Sequence, residues 1–227
     1  DVYKRQILYL FLSILIAGAW LILHKKKSLK ESIKFIFNPK VFFSKSATSD
    51  YKVFFINQII MLLISPHLLT QITIATALYF FFFEINFIDM GLFATTPKYI
   101  IISLFTLTHF VVDDFSKYIV HRWMHRWPFL WALHKVHHSA TNLTPMTVFR
   151  THPLEGLVFT LRSAFAQGLT ISTFVYLFGG GVDLYTVLGA NLFVFLFNVF
   201  GSNLRHSHIG IRYWKWLEYI LISPAQH

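Results

Sequence analysis

The chain is written in long uncharged runs separated by short polar segments. Ile7 to Leu23 is seventeen residues without a charge, enough for a slightly short or tilted transmembrane helix. It is long for a secretory h-region, and Lys25-Lys26-Lys27 follows it rather than a small-residue cleavage site. From Lys25 to Lys52, Ile33, Phe35, Ile36, Val41, Phe42 and Phe43 alternate with lysines, the pattern of interfacial helix and loop on lipid headgroups. Val53 to Phe83 is thirty-one uncharged residues, about 46 Å as one helix against a hydrocarbon core of about 30 Å. With Pro66 near its middle, it predicts one long, kinked or tilted span; a re-entrant hairpin is the alternative. Tyr99–Val120, Leu154–Phe178 and Leu184–Phe200 are the third, fourth and fifth spans, with Gly179-Gly180-Gly181 a tight turn between the last two.

Charge placement orients these spans. Eight of the twenty Lys and Arg fall between Lys25 and Lys52, and Arg205, Arg212 and Lys215 follow the fifth span. The segment Glu84 to Pro97 carries Glu84 and Asp89 but no base. By the positive-inside rule the lysine-rich side is cytoplasmic. The predicted fold is therefore all-α: a polytopic membrane bundle of about five spans with a histidine-rich helical cap on the cytoplasmic side.

Composition agrees with this reading and removes other classes. The chain has 227 residues, 55% hydrophobic and only 13% charged, with twenty-six Phe and a mean hydropathy of +0.55. A disordered tail and a soluble nucleic-acid module are excluded; the net charge of +10 sits where a membrane flank carries it. The absence of Cys excludes a disulfide framework, thiolate-ligated haem, a Cys-held iron–sulfur cluster and a Cys nucleophile. Residues 1–6, DVYKRQ, read as the translation of a transposase end used in sequencing libraries. They are expected to be an artefact, which suggests a metagenomic source and a bacterial inner membrane. At the other end the chain stops at His227, so the sequence is expected to be a fragment.

Six of the twelve His lie between His121 and His152. His121 and His125 are an i,i+4 pair, which a helix places on one face and which suits two ligands to one metal. His134, His137 and His138 repeat the i,i+3 and i,i+4 spacing. His206 and His208 follow the fifth span, and His227 closes the chain on the same side. Asp114 precedes His121 by seven and His125 by eleven residues, sharing their face, and is a candidate carboxylate to orient an imidazole. Glu155, beside His152 and Pro153, is another; the competing readings are an Asp–Lys117 interfacial pair for the aspartates and a helix N-terminal carboxylate for Glu155. Imidazole suits iron, zinc or copper, and seven or more converging His suit two metals. The membrane setting points to a lipid substrate, and oxidising an unactivated C–H bond requires iron or copper with O₂.

These motifs resemble the fatty acid hydroxylase/sterol desaturase superfamily of membrane di-iron oxygenases. That family's H-x₃-H, H-x-x-H-H, further His and closing H-x-x-H-H appear as His121-RWM-His125, His134-KV-His137-His138, His206 and the truncated end at His227. Asn142 to Glu155 also resembles bacterial members. The resemblance covers about Phe110 to the end, dividing the chain into spans and basic segment at 7–100 and a C-terminally truncated catalytic domain at 101–227. It implies His121, His125, His134, His137, His138, His206 and His227 as ligands to two Fe, with Zn a possible substitute in purified protein. His152 matches a subfamily position and His208 falls where many relatives carry Asn; both are kept as pocket residues or possible ligands. Because the closing motif lacks its last two His, the chain as it stands is expected to be inactive.

The activity implied is hydroxylation or desaturation of a fatty acyl or sterol-like lipid with O₂. Electrons come from an external cytochrome b5-like or ferredoxin-like donor, since no flavin, nicotinamide or Cys-cluster motif is present. The alternative is a membrane metal-binding protein, scaffold or metal transporter without oxygenase activity. A transporter would place ionisable residues in mid-span, where only His67 and His109 lie among the histidines.

Overall fold

The computed structural model describes residues 2–64, 70–85, 88–200 and 211–219, with side chains described from residue 11 onward except at 71, 184, 199 and 200. Nine α-helices are present among them: α1 (Val2–Leu23), α2 (Leu29–Ile36), α3 (Pro39–Phe42), α4 (Lys45–Ile64), α5 (Gln71–Ile85), α6 (Lys98–Arg126), α7 (Pro128–His138), α8 (Pro153–Phe178) and α9 (Leu184–Phe200). No strand occurs among the described residues, so the all-α expectation holds.

Two helices, Lys45–Ile64 and Lys98–Arg126, are long and apolar enough to cross a membrane; Phe11–Leu23, Ile72–Ile85 and Tyr185–Asn198 are apolar but shorter. Both long helices leave most of their surface open, and Phe55, Ile56, Leu62 and Leu63 on α4 are all more than half exposed. Apolar surface on this scale suits lipid rather than water. Over Val53–Phe83 the described residues belong to two helices, α4 and α5; residues 65–69, which include Pro66, lie outside the described set. The third span runs past Val120 without a break, so the span and the first histidine pair are one helix, α6.

The chain divides into two compact units. One draws on Asp1–Ile59, Lys135–Thr151 and Leu196–His227, the other on Ile60–His134 and His152–Phe195. The units interleave in sequence and describe packing; the division at residues 100 and 101 follows motif content, which packing does not address.

In the first unit α1 packs on α2, and Ala17, Leu21, Ile36 and Ile211 form its core. α2 starts at a capping box: Glu31 N donates to Ser28 Oγ (3.3 Å) and Ser28 N to Glu31 Oε2 (2.9 Å), closing two open donors of the first turn. One face of α4 then holds the segment 139–151. Asp50, with no exposed surface, accepts from Arg150 Nη1 (3.0 Å) and Thr147 Oγ1 (2.8 Å). Asn57 Nδ2 donates to Thr151 O (2.8 Å), and Phe54 meets Phe149 at 5.1 Å between ring centroids.

In the second unit α8 packs against α5 and α6. Ile101 and Phe105 of α6, Phe174 and Phe178 of α8 and Ala190 of α9 make the core at one end. α8 stops there because Gly179 adopts φ +60°, ψ −134°, a positive-φ conformation that glycine takes without Cβ strain. Gly181 admits the buried Ile101 side chain so closely that any Cβ at 181 would collide with it.

Candidate metal centre

The site is built at the opposite end of α6. His121 and His125 occupy its last turns, and the helix stops at Trp127, whose backbone is extended (φ −96°, ψ 125°). Pro128 follows, and a residue before proline is pushed out of helical geometry. α7 begins at Pro128, and the corner returns the chain so that His134, nearly two turns along α7, faces the α6 pair. The three rings form a triangle with centroids 4.8 Å apart on every side. One ligating nitrogen from each lies within 4.8 Å of the others, and His121 Nε2 and His125 Nε2 are 3.2 Å apart.

His134 is 2% exposed, and its Nδ1 lies 2.8 Å from Oε1 of Glu155, also 2% exposed. A carboxylate only accepts, so Nδ1 carries the proton and Nε2 keeps its lone pair. Glu155 reaches this position from the first turn of α8. There His152 is the N-cap, its Nδ1 accepting from Leu154 N at 3.2 Å, and Pro153 supplies a φ preset for the helix. The second oxygen of Glu155 is buried outside any hydrogen bond.

These residues fit a metal. Imidazole nitrogens sit about 2.0–2.1 Å from a first-row ion such as zinc, so two on one ion lie about 3.0–3.4 Å apart, matching the His121–His125 separation. A buried carboxylate with acceptor capacity to spare, backing neutral nitrogen donors, is charge-complementary to a cation.

The sequence-derived residues separate into four groups. His121, His125 and His134 come together, and Glu155 is the carboxylate on His134. Asp114 is exposed and makes no hydrogen bond or ion pair with any described imidazole; on the same turn Asp113 is buried and paired with Arg162 and Lys117. His137 and His138 follow on α7, their rings 5.4 Å apart and nearly perpendicular, and belong to the other compact unit. His206, His208 and His227 lie outside the described residues. Sequence reasoning missed Asp50 and Arg162. Asp50 left a signal, being the only acid between residues 32 and 83; Arg162, a lone base inside an apolar run, left another.

Comparison with known proteins shows the family. Residues 106–227, more than half of the chain, match the fatty acid hydroxylase family, and the chain belongs to it. The Delta(7)-sterol 5(6)-desaturase of Eremothecium gossypii is 36% identical over 73 residues, 32% of this chain and 20% of that protein. A second Delta(7)-sterol 5(6)-desaturase, from Gibberella zeae, is 26% identical over 126 residues, 56% of this chain and 34% of that protein. The chain thus spans about a third or less of these relatives' length. No solved structure matches it.

Proposed function

We propose that the full-length protein is a membrane-bound di-iron oxygenase that hydroxylates or desaturates a C–H bond of a fatty acyl or sterol-like lipid, with O₂ and electrons from an external carrier. The observation that carries this reading is the His121–His125–His134 triangle backed by Glu155, in a chain whose relatives are sterol desaturases. Membership of the family supports His137, His138, His206 and His227 as further ligands. The same reading takes the helices as about five spans of an inner membrane with the histidines on the cytoplasmic side.

When bound, the iron pair supplies O₂ activation and C–H oxidation, chemistry that no side chain here provides. The protein's own contributions are narrower. His121 and His125 hold two nitrogens at fixed spacing on one helix face. Glu155 holds the proton of His134 at Nδ1, fixing the tautomer and the ring plane. Trp123 and Trp127, stacked at 5.3 Å, stand with Phe129 and Trp131 as exposed apolar surface beside the histidines, suited to receiving an apolar chain.

Elemental analysis of the full-length protein in detergent, beside a His134→Ala, His137→Ala double variant, tests the proposal. About two irons per chain, lost in the variant, together with an O₂-dependent lipid product, is the expected result. Zinc with no O₂-dependent turnover after iron reconstitution identifies a metal-binding protein without oxygenase activity, and a folded protein free of metal overturns the site.

A further inference from the structure

Between the apolar core of the second unit and the histidine triangle, α6 and α8 are joined by one buried polar cluster. Arg162 Nη1 of α8 donates to Asp113 Oδ1 (2.7 Å), to the Asp113 carbonyl (2.8 Å) and to Ser116 Oγ (2.9 Å) of α6. Lys117 Nζ adds a longer contact to Asp113 at 3.4 Å. The Asp113 and Arg162 side chains are only 11% and 10% exposed. Further from the site, Gln167 Nε2 donates to Asn191 Oδ1 of α9 (2.6 Å).

A buried ion pair in an otherwise apolar interface adds little net stability, because desolvating two charges offsets most of their attraction. It does specify which register the helices take. Aliphatic ridges pack nearly as well after a slip of one turn, since every fourth residue presents a similar surface. The Asp113 turn has no such equivalent on α6. One turn toward the histidines is Lys117, which would oppose Arg162 with a like charge; one turn away is His109.

The levels along the two helices correspond. Asp113 precedes His121 by eight residues and Arg162 follows Glu155 by seven, about 12 Å and 10.5 Å at 1.5 Å per residue. α6 runs toward the site and α8 away from it, so both offsets point the same way from the pair. We propose that the Asp113–Arg162 pair is a positioning device: it sets the register of α6 against α8 and thereby holds His121 and His125 opposite the His134 that Glu155 orients. Its consequence for metal binding rests on the function proposed above; its consequence for register does not.

The test uses the full-length protein, with Cys introduced as Phe115→Cys on α6 and Leu154→Cys on α8. Both native side chains are exposed, and the described chain has no other Cys to label. Spin-label distances are measured in the parent, in Arg162→Met and in the double Asp113→Leu, Arg162→Met variant, which removes both buried charges together and leaves only the more exposed Lys117 without its carboxylate; the double variant is the control where the single change fails to fold. Metal affinity is read with added cobalt, whose visible spectrum reports coordination. A shifted or broadened distance distribution in the double variant, with cobalt affinity about tenfold weaker, within the range by which residues remote from a site modulate it, is the expected result. An unchanged distance overturns the inference, as does an unchanged cobalt affinity and spectrum beside a lower melting temperature, which marks a purely structural pair. A parent that binds no cobalt defeats the functional reading instead, and the label distances still decide the register.

Discussion

Two buried polar constellations, one in each compact unit, show how composition separates a site from a scaffold. Around Asp50 the charges are complete: a carboxylate with no exposed surface meets a guanidinium and a hydroxyl, and both its oxygens are used. Around His134 they are not. A carboxylate with one oxygen outside any hydrogen bond backs one of three imidazoles whose nitrogens converge, a set complementary to positive charge. The first network ties α4 to the segment 139–151; the second has the donors and the surplus negative charge that a cation requires.

That contrast can be broken by substitution, and the largest effect is expected at the closed network. Asp50→Ala leaves Arg150 buried without its carboxylate. It should destabilise the protein by about 3–5 kcal/mol, the cost typical of breaking a buried pair, while the folded fraction still takes up metal. Denaturation and metal content on the same sample check this; metal loss before unfolding would merge the two networks into one. Glu155→Gln should do the reverse, leaving the melting temperature close to the parent and weakening metal binding about 10- to 100-fold, as measured by chelator competition. An affinity within twofold of the parent would reduce Glu155 to a carboxylate that merely favours the start of α8.

Smaller effects sharpen the comparison away from both networks. Gly181→Ala drives a methyl group into buried Ile101 and should cost about 1–2 kcal/mol, the low end of overpacking penalties, with no change in metal content. The smallest effect is expected at Lys98–Asp183, an exposed pair 2.7 Å apart. The Lys98 ammonium, then the Thr186 N–H and hydroxyl, hold the Asp183 carboxyl far below its ordinary value. A group whose folded pKa is depressed stabilises the fold above the unfolded value, near 3.9, and loses that contribution as pH falls below it. The difference in melting temperature between parent and Asp183→Asn should therefore be present at pH 6 and shrink below about pH 4. A difference that grows on acidification would reverse the assignment.

How much of this was legible depends on how local each feature is. The His121–His125 pair and the i,i+3 and i,i+4 spacing of His134, His137 and His138 follow from helical periodicity, and α6 and α7 carry them as expected. Glu155 was legible as a candidate carboxylate, but its partner was not, because His134 lies twenty-one residues earlier on another helix. Asp114 shares the helix face of His121 by count, yet it is the adjacent Asp113 that is buried, since α8 presents Arg162 to that turn. α5 was legible as an apolar segment; that it packs against α8 was not, because that contact joins residues far apart in the chain.

By itself the sequence determined what short-range physics can determine: helical segments, their apolar character, a cysteine-free set of imidazole donors and the proline corner that ends α6. The tertiary structure decided which polar groups are satisfied. Asp50 and Arg150 are a hundred residues apart, Asp113 and Arg162 forty-nine, and no periodicity links either pair. Burial makes an unpaired charge costly, so the fold joins these residues wherever packing brings them within reach, and only the packed helices fix where that is.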